Sequence, residues 1–297
     1  MKLKNVACLL VLLLAGISAP IQAQPDAHYP PGIEGIKGAT LPPPGVYLRD
    51  YNLFYVADQV NNGGGQNLHL PNFQTWTYAN VPRAIWITHT KFLGGNLGVD
   101  GLLPLFDHNL TIGPVKNSTF GIGDFFSEGT LSWHTKQFDI GTGAGFWAPT
   151  GDSSGSPIST RGGSGFWTTM LTLGATWYPD EQKTWAVSAL NRYEFNTEDR
   201  DTHETPGQAW TLEWGISKSV LKTVDIGLVG YYQQRITAST GPDSAEFPYD
   251  RVAAIGPEIS AAFPSVMFFA SLRYDYEFMA DDRAQGHTVT LTLTKRF

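Results

Sequence analysis

His287-Thr-Val-Thr-Leu-Thr-Leu-Thr-Lys-Arg-Phe297 is the stretch that decides the fold. Val289, Leu291, Leu293 and Phe297 fall on one side of an extended chain, and Thr288, Thr290, Thr292, Thr294 and Arg296 on the other. Strand side chains alternate faces with a period of two, so this segment has one apolar and one polar face. A half-buried edge of a soluble sheet reads this way. So does the closing strand of a bacterial outer-membrane barrel, with its apolar face on lipid and its polar face on a lumen.

Other segments repeat the pattern with charged residues on the polar side. Over 207–219, Trp210, Leu212, Trp214 and Ile216 oppose Thr211, Glu213, Gly215 and Ser217. Over 265–280, Val266, Phe268, Ala270, Leu272, Tyr274, Tyr276 and Phe278 oppose Ser271, Arg273, Asp275 and Glu277. Over 184–196, Trp185, Val187, Tyr193 and Phe195 oppose Ser188, Arg192, Glu194 and Asn196. Over 223–237, Val224, Ile226 and Leu228 oppose Asp225, Gln233 and Arg235. Ions in a dry sandwich core each cost several kcal/mol, whereas a wet or densely paired lumen removes most of that cost. Residues 46–58 fit less cleanly, with aromatics on both faces.

The spacing predicts twelve strands, within a range of ten to fourteen, at 46–58, 81–92, 96–105, 128–135, 137–147, 166–177, 184–196, 207–219, 223–237, 249–262, 265–280 and 286–297. Short connections near Leu93–Asn96, Lys136–Gln137, Pro179–Gln182, Leu221–Thr223 and Pro264–Ser265 alternate with longer ones at Gln59–Asn80, Phe106–Ser127, Ala148–Gly165, Thr197–Pro206 and Ala238–Pro248. Only Asp281–Gln285 breaks the alternation. Short periplasmic turns and long extracellular loops produce that order, and a sandwich has no reason to keep it. The predicted fold is therefore an all-β, antiparallel, up-and-down transmembrane barrel over residues 45–297.

Composition agrees. Of 297 residues, 16% are charged and 13% aromatic, with 32 glycines. The mean hydropathy of −0.16 is what a barrel gives, because only alternate residues meet lipid. Residues 1–23 read as an export signal: Lys2 and Lys4 precede the apolar run Val6–Leu14, and Ala23 suits cleavage. The one cysteine, Cys8, lies inside that signal, so no disulfide is expected. Without Lys2 and Lys4 the chain has 18 Lys and Arg against 27 Asp and Glu, a formal charge of −9. That acidity excludes nucleic acid as a partner class. Residues 24–44, ending in Leu41-Pro-Pro-Pro44, are too rich in Pro and Gly for a sheet. They read either as a periplasmic leader or as a plug that narrows the barrel mouth.

Several short motifs carry a family resemblance: Leu41-Pro-Pro-Pro-Gly45-Val-Tyr-Leu-Arg-Asp-Tyr51, Gly121-Ile-Gly-Asp124, Leu131-Ser-Trp-His134, Ala148-Pro-Thr-Gly-Asp152 and the Phe-terminated strand. In this order, from about Ala39 to Phe297, the chain resembles the phenol meta-pathway degradation outer-membrane proteins, a transporter-like family. The resemblance implies an outer-membrane barrel linked to catabolism of aromatic compounds. It supplies no catalytic residue. Lys295 departs from the aromatic or apolar residue usual two places before a terminal Phe.

The candidate lumen-lining residues are Arg192, Glu194, Glu213, Asp225, Arg235, Glu258, Arg273, Asp275 and Glu277, with Asp100 on the same predicted side. They form either a polar permeation path or a paired ladder that fills and stiffens a narrow lumen. The histidines show no H-x-E or H-E-x-x-H spacing, so zinc is not expected. Ser132 and His134 share a face without a third member, and no G-x-S-x-G or phosphate-binding loop is present. Pro257, inside the 249–262 pattern, marks a bulge, a strand end or a lateral opening in the wall. The loops with Gly63–Gly65 and Gly151–Pro157 read as exposed segments or as collectors of apolar solute. The functional expectation is passive uptake of small hydrophobic or aromatic compounds, without a cofactor and without catalysis. The alternative is a non-conducting structural or surface-interaction barrel, with an outer-membrane hydrolase further behind. The expected partners are the outer-membrane bilayer, the solute and the barrel assembly machinery.

Overall fold

The structure, a computed structural model, describes residues 27–153, 162–242 and 250–297. The export signal and parts of the loops at Gly151–Pro157 and Ala238–Pro248 lie outside the described residues. Strands run as β1 (Gly45–Val60), β2 (Gln74–Phe92), β3 (Gly95–Leu102), β4 (Leu105–Ile112), β5 (Val115–Ile122), β6 (Phe125–His134), β7 (Phe138–Ala148), β8 (Thr168–Trp177), β9 (Trp185–Asn196), β10 (Ala209–Leu221), β11 (Val224–Arg235), β12 (Arg251–Phe263), β13 (Phe268–Asp281) and β14 (Ala284–Arg296).

These fourteen strands form twelve staves among the described residues. The long β2 pairs with β3 through Arg83–Phe92 and with β4 through Gln74–Asn80, so β3 and β4 are two halves of one stave. β6 pairs with β3 and β5 with β4, so β5 and β6 form the next split stave. Pro104 interrupts the first and Gly123-Asp124 the second, and a Gly123 N–H bond to the Pro104 carbonyl (2.7 Å) carries the ladder across. The barrel closes where β14 pairs with β1, from Tyr47–Arg296 to Val60–Ala284. Phe297 adds an N–H bond to the Val46 carbonyl at 2.9 Å.

Two predicted connections change. The segment 106–127, expected as a loop, is mostly the β4–β5 hairpin that continues the wall. The segment 59–80 is shorter, because β2 begins at Gln74. Thr75 and Thr77 face the lumen and Trp76 and Tyr78 face outward, so the period of two already runs through the start of β2. Leu93 and Gly94 form the two-residue β2–β3 turn with φ of 49° and 82°, the left-handed pair that suits strand twist. Pro257 stays inside β12 and pairs with Leu228 of β11, while the ladder to β13 skips Gly256 and Pro257. A bulge lies higher, between Ala253 and Ala254.

The outer surface carries the apolar rows: Leu171, Leu173, Ile216, Leu228, Ile259, Leu272 and Leu291 are all exposed. Trp177, Trp185, Phe138 and Phe263 stand near one rim, and Trp167, Phe195, Tyr276 and Phe278 near the other. An apolar band flanked by aromatic girdles is the signature of a wall in lipid. No helix among the described residues is long and apolar enough to cross a membrane.

Candidate functional site

The inside of the barrel is organised by residues 27–44, which run within the lumen from the loop end down to the start of β1. At the loop end, His28 Nε2 lies 2.9 Å from Asp124 Oδ2 and His28 Nδ1 2.6 Å from Thr168 Oγ1. The ring stacks on Trp147 at 5.6 Å. Asp124 also accepts N–H bonds from Gly151 and Ser164, so one carboxylate ties this arm to the β7–β8 loop. Lower down, Tyr29 donates its N–H to Glu194 (3.0 Å) and its hydroxyl to Glu213 (2.8 Å). The Arg192 guanidinium lies 4.1 Å from the centre of the same tyrosine ring.

Glu34 sits at the centre. Its carboxylate accepts from Arg83 (2.9 Å), Arg49 (3.0 Å) and the Tyr51 hydroxyl (2.9 Å), with Arg192 at 3.8 Å. Burial pushes the Glu34 carboxyl up, but Arg49, Arg83 and Arg192 together more than reverse this, lowering it from 4.5 to about 2. Below it, Ile36 donates its N–H to Glu258 (2.9 Å) and Lys37 pairs with Asp225 (2.6 Å). Ala39 and Thr40 bond Ser188 and Thr176. Gly35 is needed for this close approach, because a Cβ there would stand 1.9 Å from a Glu258 oxygen.

The nine candidate residues therefore sit as follows. Arg192, Glu194, Glu213, Asp225, Glu258 and Arg273 contact the arm directly, Arg273 through the Gly32 carbonyl. Asp275 supports Arg273 at 3.0 Å. Glu277 stands toward the loop end, accepting hydroxyls from Tyr55 (3.1 Å) and Tyr231 (2.9 Å). Arg235 stands apart at the mouth, paired with Asp250 at 3.0 Å. Sequence reasoning missed Glu34, Arg49, Arg83 and Glu128. Arg83 grips Asp100 with two bonds of 2.9 Å and stands 3.7 Å from Glu128. Its face also holds Ile85 and Ile87, which hid it in an apolar-looking row. His134 lies 3.0 Å from Asp139, while Ser132 is fully enclosed.

Above Glu34 the lumen opens into a cavity of about 340 Å³. Tyr51, Leu102, Phe126, Trp147 and Met170 form its wall, and the arm contributes Tyr29, Pro30, Pro31 and Ile33. Arg83, His108 and Glu277 stand at its border, and Gly162–Ser164 of the β7–β8 loop reach its upper side.

A closed barrel, apolar outside and ion-paired inside, with an apolar chamber above an internal arm, is a transmembrane β-barrel of the bacterial outer-membrane kind. Solved structures of the same fold include an outer membrane channel from Pseudomonas putida F1 (TM-score 0.77, 13% identity, covering 91% of this chain and 100% of that one). They also include the beta domain of the Bordetella autotransporter BrkA (TM-score 0.54, 11% identity, 85% of this chain and 99% of that one). The transport unit of the autotransporter AIDA-I from Escherichia coli is a third (TM-score 0.51, 9% identity, 85% and 90%). No curated protein matches the chain in sequence. The chain belongs to the family described as the MetA-pathway of phenol degradation, whose profile matches residues 57–293.

Proposed function

We propose that this protein admits small apolar and aromatic solutes through the outer membrane by diffusion, with residues 27–44 acting as a plug that yields during passage. The observation that carries this reading is the chamber of about 340 Å³, walled by Tyr51, Leu102, Phe126, Trp147 and Met170 at the loop end of the lumen. Binding pockets for small organic molecules are mostly apolar with a few polar groups, at roughly 300–1,000 Å³. The family description, phenol degradation, points to the same class of solute. A monocyclic aromatic stacks on Trp147 or Phe126 and places a hydroxyl toward Arg83 or His108. Below the chamber, the arm and its ion pairs fill the lumen, so passage requires the arm to shift. No cofactor and no covalent step enter this mechanism.

Uptake of phenol and toluene into proteoliposomes tests it. The expected result is uptake well above that of empty vesicles, several-fold slower for Met170→Trp, which fills the chamber. A parent protein no faster than empty vesicles would leave the alternative, a structural barrel whose ion-paired lumen is permanently filled.

A further inference from the structure

The outer face of the wall carries a polar island where lipid is expected. On β1, inward Arg49, Tyr51 and Leu53 alternate with outward Asp50, Asn52 and Phe54, and on β2 Asn80 and Tyr78 point outward beside them. These side chains bond one another. Asn80 Nδ2 donates to Asp50 Oδ1 (2.9 Å) and Asn52 Oδ1 (3.1 Å). Asn52 Nδ2 donates to Asp50 Oδ2 (3.0 Å), and the Tyr78 hydroxyl to Asn52 Oδ1 (2.8 Å).

Apolar residues flank the island laterally and below, while on the loop side β4 presents Asp107 beside Tyr78 and Asn109 beside Trp76. On the rungs of Asp50 and Asn52, β14 presents Leu293 and Leu291. Beyond Asn80, β4 and β5 present Leu105 and Ile122. Phe54 lies above and Leu48 below, both exposed. Asp50 stands five residues into β1; at about 3.4 Å per residue and a tilt near 40°, that is roughly 13 Å, the middle of an apolar band about 25 Å tall. Polar and ionised groups at such depth face a partner far more often than lipid.

We propose that this face is an interface with a second copy of the same chain, joined across a two-fold axis. The island is self-complementary. One Asn52 N–H and the Asn80 carbonyl oxygen are not used in the bonds above. Asn52 of one copy donates to Asn80 or Asp50 of the other, and the two-fold returns the same bond. Exposed Trp86 and Phe54 supply apolar contact on either side.

Cysteine cross-linking in intact outer membranes tests this. In a Cys8→Ser background, Tyr78→Cys and separately Phe54→Cys are oxidised, with Leu228→Cys on the far wall as the control. The expected result is a band of twice the chain mass for at least one of the first two and none for the control. Adding Asn52→Leu with Asn80→Leu is expected to reduce that band several-fold, while heat-modifiable migration still reports an assembled barrel. A purely monomeric Tyr78→Cys and Phe54→Cys, both assembled, would overturn the proposal. So would a cross-link to a protein of another mass, or a dimer band equal to that of the control. If both cysteine variants fail to assemble, the mass of the parent protein in lipid nanodiscs decides: two copies support the interface and one copy refutes it.

Discussion

Replacing Glu34 with glutamine isolates what holds the arm in the lumen. Glutamine keeps the shape and removes the charge shared by Arg49, Arg83 and Arg192. Burial raises the Glu34 carboxyl and the three guanidiniums more than offset it, from an ordinary 4.5 to about 2. That difference corresponds to roughly 3 kcal/mol between the charged and neutral side chain. Breaking a buried pair by removing one partner costs about the same, roughly 3–5 kcal/mol. At about 1.4 kcal/mol per tenfold, the undocked population of the arm should rise on the order of a hundredfold. Trypsin reads this directly, because Lys37 lies on the arm and is cleaved only when the arm opens. When opening is fast, the cleavage rate follows the open population. The sign with pH is fixed. A depressed value means the stabilisation is complete above about 4.5 and is lost as pH falls toward about 2. Conductance of the parent in planar bilayers should therefore rise between those values, and that of Glu34→Gln should stay flat there. Cleavage at Lys37 within twofold of the parent, in an assembled Glu34→Gln barrel, would refute the reasoning.

Two further outcomes follow from the wall. Deleting Phe297 removes the 2.9 Å bond to Val46 and the last outward aromatic, so assembled barrel in cells should fall several-fold while refolding in detergent persists; western blots of unheated samples measure this. Gly256→Ala places a Cβ 1.6 Å from the Tyr274 carbonyl oxygen, and should destabilise the barrel by at least roughly 1–3 kcal/mol, read as a lower unfolding temperature.

The staves from β7 onward were legible because each has one apolar and one polar row. Ala209–Leu221 and Phe268–Asp281 announce both faces and need no tertiary knowledge. The first third was harder for a physical reason. Its inward face is mixed, since Val81, Ile85 and Ile87 line the same side as Arg83 against the arm and chamber. Its outward face carries Asp50, Asn52 and Asn80. With polarity present on both sides, a period of two loses its contrast, and the β4–β5 hairpin passed for a loop. Glu34 was illegible for another reason. A single carboxylate in a Pro- and Gly-rich segment acquires meaning only when three arginines from β1, β2 and β9 converge on it, and no spacing in the chain records that meeting.

The tether at Pro42–Pro44 makes the arm an intramolecular ligand for its own barrel. Only a few residues separate Thr40, bonded to Thr176, from Gly45 at the start of β1. A released arm therefore stays within reach of the pore, at an effective concentration on the order of millimolar for so short a link. Reclosure is then unimolecular and independent of protein concentration. A synthetic peptide of residues 27–44 supplied in solution competes with the native segment only when its own concentration approaches that local value. A modest intrinsic affinity is therefore enough to keep the arm docked.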